Sequence, residues 1–181
     1  MLNRSIGDVG QIQTPAAFKD AMRRMASSVT LITGRDVDGV PHGMAASAVI
    51  PVSMDPPSML VAINRTAGLH PVVQRTRRFC VNLLGDDQQH LLAPFSQSAL
   101  RAERFRSDDW RDAWADDLEQ LPWLAGAPAA VDCAVDSALD YGTHTLFIGR
   151  VLNVHCEEST QLSASPLVWL AGRRAALSLS S

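Results

Sequence analysis

Lysine is nearly missing from this chain of 181 residues, and Lys19 is the only one. A phosphate-binding P-loop needs a glycine-flanked lysine ahead of Ser or Thr, so that class is excluded. No two of the 11 glycines stand at Gly-x-Gly spacing, which removes the Rossmann dinucleotide fingerprint. Gly-x-Ser-x-Gly does not occur either, so there is no nucleophile elbow. Cysteine is scarce: Cys80, Cys133 and Cys156 are odd in number and lack Cys-x-x-Cys spacing. Neither a disulfide framework nor a zinc ribbon follows, and a reducing cytosol is the simplest home. The five histidines, His42, His70, His90, His144 and His155, show no His-x-x-x-His or His-Glu-x-x-His pattern, so no bound metal is expected.

Positive charge is not in excess. Sixteen basic residues against nineteen acidic ones give a net charge of −3, which argues against a general nucleic-acid binder needing a basic face. No apolar run approaches the roughly 18 residues of a membrane span, and Met1 to Gln13 does not read as a signal peptide. The expectation is a soluble cytoplasmic chain with no membrane partner. Hydrophobic residues make up 46%, enough for a buried core. The reading is a flexible segment over 1–13 and one domain over 14–181.

Thr14-Pro15 reads as a helix start, followed by Phe18, Ala21, Met22 and Met25 at helical spacing, so a short helix should cover something apolar. Ser28 to Thr33 reads as a strand turning at Asp38-Gly39. His42 to Ser53 reads as a second extended stretch, ended by Asp55-Pro56-Pro57. Met59 to Ile63 and Phe79 to Leu84 read as short strands, with short helices around Pro71–Arg77 and Asp87–Phe95. Arg101 to Glu119 reads as a surface excursion with partial helix. Ala130 to Asp140 and Thr143 to Cys156 are long strands about Tyr141-Gly142; Leu146, Ile148, Leu152 and Val154 share a face of the second. Pro166 to Ala171 adds a last strand. Short strands and tight turns point to a mainly β fold, a closed or nearly closed antiparallel barrel with peripheral helices.

The informative stretch begins at His42. Gly43-Met44-Ala45-Ala46-Ser47-Ala48 carries mostly small side chains, which let a flat ligand approach the backbone. Ser47 and Ser53 offer hydroxyls. Asn64-Arg65-Thr66 ends the next strand with an amide, a guanidinium and a hydroxyl, suited to a phosphate. Each has a plainer reading: small residues can simply pack, and an arginine at a strand end can be solvated. The residues alone reach a small β-barrel with a candidate site for a planar anionic ligand.

The order of segments resembles the short-chain flavin reductase family, the reductase components of two-component flavin-dependent monooxygenases. The matching pieces are Phe18-Lys19-Asp20-Ala21-Met22, His42-Gly43-Met44-Ala45-Ala46-Ser47-Ala48 and Val52-Ser53-Met54-Asp55-Pro56-Pro57-Ser58. They continue with Ile63-Asn64-Arg65, Phe79-Cys80-Val81-Asn82-Leu83-Leu84, Gln88, Gly142-Thr143-His144-Thr145-Leu146-Phe147-Ile148-Gly149 and Pro166-Leu167-Val168-Trp169. The resemblance implies a Greek-key-like split β-barrel homodimer that binds FMN, or FAD. It implies hydride transfer from NADH or NADPH and delivery of reduced flavin to a separate oxygenase. Ala45, Ala46, Ser47, Ala48 and Val49 would then run beside the isoalloxazine. Asn64, Arg65, Thr66 and Ser47 or Ser53 would hold the ribityl chain and phosphate, with His70 near the phosphate. His144 would lie beside the nicotinamide, in a Gly-Thr-His segment where many relatives have Gly-Asp-His. Arg173 and Arg174 resemble a basic pair that meets nicotinamide-cofactor phosphate, although Ala175-Ala176 replaces the usual aromatic. Trp110, Trp114 and Trp123 read as core or interface, and Cys80 as a small buried hydrophobe. Two other readings remain open: an FMN-prosthetic reductase of a corrinoid or ferric acceptor, and a non-catalytic flavin- or haem-binding barrel.

Overall fold

The computed structural model of the chain describes residues 15–156 and 165–177. The Thr14 cap and the 1–13 segment lie outside the described residues. In chain order the elements are α1 (Pro15–Met22), β1 (Ser27–Ser28), β2 (Thr30–Arg35), β3 (Pro41–Ala46), β4 (Val49–Met54), β5 (Pro57–Asn64), α2 (His70–Thr76) and β6 (Arg78–Leu83). Two 3₁₀ segments, Asp86–Leu91 and Ser98–Glu103, flank α3 (Leu92–Ser96). Then come β7 (Trp110–Arg111), β8 (Trp123–Leu124), β9 (Ala129–Tyr141), β10 (His144–His155), β11 (Val168–Leu170) and β12 (Arg173–Ala175).

The fold is mainly β. Its centre is a seven-stranded antiparallel sheet in the order β3-β2-β6-β9-β10-β5-β4. The two outermost strands are consecutive in the chain, separated only by Ser47 and Ala48. Three Cα steps of about 3.8 Å cannot bridge a flat seven-stranded sheet, so the sheet must curl until its edges meet at that point. Elsewhere β3 and β4 are not hydrogen-bonded to each other.

The expected single stretch over His42 to Ser53 is therefore two strands. β3 pairs with β2 through Ile32↔Met44, and β4 pairs with β5 through Ile50↔Leu60. A run of small residues reads as one extended segment, because nothing local marks where the chain changes partner. The Asp55-Pro56-Pro57 break is the β4–β5 turn, with Met54 opposite Pro57.

β2 is buried along its whole length. Ile32 faces the barrel interior with Val61, Ile63, Phe79, Val81 and Phe147. Leu31 faces outward into a second cluster with Leu84, Phe95, Phe105, Trp110 and Leu167. α2 closes one end of the interior with Val72 and Val73. Gly149 is required on β10, where a Cβ would come within 2.7 Å of the Phe79 ring. The apolar row Leu146, Ile148, Leu152 and Val154 is half-buried to exposed, whereas Thr145, Phe147 and Gly149 are buried. Both faces of β10 carry apolar residues, so alternation alone does not say which one meets the core. α1 buries none of its residues, and Phe18, Met22 and Met25 are exposed, so the apolar surface this helix meets is not the buried core.

The excursion between α3 and β9 is held by polar groups. Arg35 is 2% exposed. Its guanidinium donates to the carbonyls of Gln120 at 3.0 Å, Gly39 at 3.0 Å, Ala115 at 3.1 Å, and Asp112. Burial pulls its pKa below the ordinary value, opposed by Asp112 and Asp117. Asn82, fully buried, donates to Leu31 O and Thr33 Oγ1 and accepts the Leu124 N–H at 2.7 Å. Of the tryptophans, Trp110 is in the core, Trp114 is 70% exposed, and Trp123 stacks on His155 at 4.2 Å. Replacing Arg35 by Met leaves these carbonyls without a donor. Urea unfolding should show a loss of about 3 kcal/mol, with new proteolytic cleavage between residues 104 and 122. An unchanged midpoint would mean that the excursion is held by something else.

Candidate functional site

β3 is a sheet edge. One side pairs with β2; beyond it the Gly43 carbonyl accepts from the Arg104 guanidinium at 2.7 Å. The Ser47 N–H and hydroxyl have no hydrogen-bond partner among the described residues. Ala45, Ala46 and Ser47 form one wall of a cavity of about 460 Å³, within the size range of cofactor sites. Leu92 and Ser96 of α3 form another wall, and Met22, Met25, Val29 and Trp169 make the surface largely apolar. Among the described residues, the only charged ones on the lining are Lys19 and Arg23.

The α3 wall is set by close packing. A Cβ on Gly43 would come within 2.5 Å of Phe95 Cε1. Arg104 donates from Nε to Pro94 O at 2.6 Å and lies 5.5 Å above the Phe95 ring, tying α3 to β3.

A second group of side chains gathers where β5 meets β10. Asn64 lies opposite His144. The Arg65 N–H bonds to Thr143 O at 3.0 Å, and Arg65 Nη2 donates to Gly142 O at 2.6 Å. Asp140 approaches Arg65 at 3.8 Å, but both side chains are about half exposed, so the pair is weak. Asn64 Oδ1 accepts both the N–H and the hydroxyl of Thr66 at 2.9 Å, shaping the loop as an Asx-turn. His144 Nδ1 is 2.9 Å from the Thr143 hydroxyl. A hydroxyl can donate or accept, so it serves either tautomer. His144 Nε2 has no partner among the described residues.

His70 is half-buried and bonded. The Thr145 hydroxyl donates to Asp140 Oδ1 at 2.5 Å, so its oxygen accepts from His70 Nε2–H at 2.8 Å. The His70 ring tilts against Phe147 with centroids 5.6 Å apart. It supports the loop from below.

Asn64, Arg65, Thr66, His70 and His144 are thus brought together, but none of them lines the cavity. The two groups occupy the same end of the sheet. Ala48 O accepts from Ala62 N at 3.0 Å, and Ala62 precedes Asn64 by two residues, about 7 Å of strand. Val49, opposite Val61, continues from this join. Ser53 is not brought there. Its hydroxyl donates to Asp55 O and accepts from Asp55 N within the β4–β5 turn. Arg173 is exposed, next to the cavity-lining turn Ala171–Gly172. Arg174 makes a two-pronged ion pair with Asp86, so the two arginines do not act as a pair. Buried thiols offer no nucleophile: desolvation, with Asp132 nearby, pushes Cys80 well up and Cys133 to about 12.

Residues 22–178 match the family described as "Flavin reductase like domain". The chain belongs to this family. It is similar to the reductase component of FADH(2)-dependent resorcinol hydroxylase from Rhizobium sp. (strain MTP-10005), 40% identical over 80% of this chain and 79% of that one. It is also similar to the FMN reductase (NADH) RutF of Cronobacter sakazakii, 36% identical over 90% of this chain and 92% of that one. Among solved structures it resembles the styrene monooxygenase flavin reductase of Pseudomonas putida S12. The TM-score there is 0.77 at 29% identity, covering 91% of this chain and 99% of that one.

Within this flavin reductase family chain, the sequence reading did not single out Lys19, Arg23 or Trp169 as site residues. The i, i+4 spacing of the two cations was visible; that α1 and β3 line the same cavity was not. Gly43→Ala should push Phe95 and α3 away from β3. Urea unfolding should register a loss of about 1–3 kcal/mol, and flavin titration should give weaker binding than wild type. Unaltered flavin affinity would separate the α3 wall from the ligand site.

Proposed function

We propose that this chain is an NAD(P)H:flavin oxidoreductase that reduces FMN, or FAD, by hydride transfer and supplies reduced flavin to a separate oxygenase. The observation that carries the reading is the unpaired β3 edge opening onto an apolar cavity with a cationic rim. Such a slot fits a flat aromatic ring system, and the cations on its rim suit the phosphates of a nucleotide bound beside that ring. Among the similar proteins, the name FMN reductase (NADH) supports FMN and NADH, whereas the reductase component of an FADH(2)-dependent resorcinol hydroxylase supports FAD and an oxygenase partner. No helix among the described residues is long and apolar enough to cross a membrane, and the free cysteines Cys80, Cys133 and Cys156 support a cytoplasmic setting.

Bound flavin supplies the hydride acceptor and the reduced nicotinamide supplies the hydride. The chain's part is to bind, orient and exclude water. The backbone of Ala45, Ala46, Ser47, Ala48 and Val49 runs beside the ring system, with the free Ser47 N–H as a donor toward developing negative charge. Asn64, Arg65 and Thr66 hold the ribityl chain and phosphate, on a loop that His70 supports. His144, through its free Nε2, orients the nicotinamide or holds a proton for the reduced flavin.

Two copies complete the enzyme in this reading. Ile50, Val52, Met54, Leu139 and Tyr141 are all about half exposed or more, on the outer side of β4 and β9. Ile50–Leu60–Ile148 runs across the sheet between them. An apolar stripe of this extent fits a dimer face.

In anaerobic stopped-flow with FMN and NADH, the wild type should bleach the oxidised flavin band rapidly. His144→Ala should slow that bleaching by about 100-fold while flavin affinity changes little; an unchanged single-turnover rate would remove His144 from the mechanism. Arg65→Ala should weaken FMN binding about tenfold and riboflavin much less, so equal losses would rule out a phosphate contact. Ile50→Asp should shift sedimentation from dimer to monomer, whereas a wild type that is already monomeric would sink the dimer.

A further inference from the structure

We propose that Lys19 and Arg23 form an anion subsite for the pyrophosphate of the nicotinamide co-substrate, distinct from the Arg65 loop. The proposal rests on the flavin reductase reading. That reaction brings two phosphate-bearing nucleotides to one place, and the chain offers two separate cationic anchors. Arg65 stands at the β5–β10 end, outside the cavity lining. Lys19 and Arg23 line the cavity itself, together with Ala45 and Ala46.

The electrostatics of the rim point to an anionic ligand. The chain has nineteen acidic residues, yet none of those among the described residues lines this cavity. Neither Lys19 nor Arg23 has a carboxylate within ion-pair distance among the described residues. The two cations lie four residues apart, with Arg23 N bonded to Lys19 O at 3.0 Å, a spacing at which like charges repel until an anion comes between them. Arg23 is also held in place. Its Nη2 donates to Ala171 O at 3.3 Å, and its carbonyl accepts from Ala171 N at 2.8 Å. Gly172, at φ 78°, has no Cβ, where one would lie 3.1 Å from that Nη2. The β11–β12 turn thus steadies the guanidinium and uses one of its five N–H donors. The rest remain for a ligand, in the fork geometry that suits phosphate oxygens.

The experiment measures binding of FMN and of NADH to the full-length wild type, Lys19→Gln, Arg23→Gln and Arg23→Lys, by fluorescence titration. Turnover with dihydronicotinamide riboside, which carries no phosphate, provides the control. Arg23→Gln should raise the NADH dissociation constant about tenfold and leave FMN within about twofold. Turnover with the riboside should stay at the wild-type level. Arg23→Lys should recover part of the loss. The Lys19 side chain is exposed and has no hydrogen-bond or ion-pair partner among the described residues, so Lys19→Gln should leave the unfolding midpoint unchanged. It should weaken NADH about threefold or more. Equal weakening of FMN and NADH, a matching loss with the riboside, or unchanged NADH binding in Lys19→Gln and Arg23→Gln would each overturn the subsite. If the wild type reduces FMN from NADH while these variants match it, the subsite alone fails. If the wild type binds neither FMN nor NADH, the reductase reading fails and takes the subsite with it.

Discussion

The site depends on one geometric constraint: only Ser47 and Ala48 separate the two outermost strands of a seven-stranded sheet. Natural strand twist curls such a sheet, and the short join pulls the edges together at one end. There the chain leaves β2 as partner and takes up β5, and the Ala62 N–H to Ala48 O bond holds the exchange in place. A backbone changing partners leaves groups unpaired, and Ser47 carries them. Small side chains at Ala45, Ala46 and Ala48 keep that strip accessible. The open edge and the cavity are thus consequences of connectivity.

The cavity walls come from elements that are too short to be stable alone. α3 spans five residues and is positioned by Phe95 against Gly43 and by Arg104 bonded to both segments. The excursion behind it rests on Phe105 and Trp110 in the outer apolar cluster and on the Arg35 and Asn82 networks. Buried polar groups are costly unless they are satisfied. Here they bond to carbonyls and amides that irregular chain would otherwise leave without partners. A segment with little regular structure can then form a rigid wall.

Much of this was readable in the residues. The β9–β10 hairpin followed from two long alternating runs around Gly142, which adopts φ 55°. The β-branched run ending at Thr33 marked β2, and His70–Thr76 is the helix expected near Pro71. The Asn64-Arg65-Thr66 loop and His144 were each picked out in the sequence; that they are neighbours comes from the β5–β10 pairing. Three features were not readable. The switch of partner within His42 to Ser53 has no local marker. The outward face of β10 is as apolar as many cores. The role of α1 could not be told from its amphipathicity, because its apolar side meets a cavity rim and solvent.

By itself the sequence determined local periods, turns and exclusions: where strands alternate, where glycine and proline interrupt them, and which nucleotide and metal motifs are absent. The order of its segments also determined the family. Tertiary structure alone decided which strand edge stays open, that Lys19 and Arg23 share a cavity with Ala45, that Thr143 backs His144, and that Ser53 is taken up in a turn. The first two depend on pairings between segments far apart in the chain; the last two are local hydrogen bonds whose geometry is fixed by the strands that carry them. Such pairings are settled by burial and sheet order over the whole molecule, to which no short window of sequence has access.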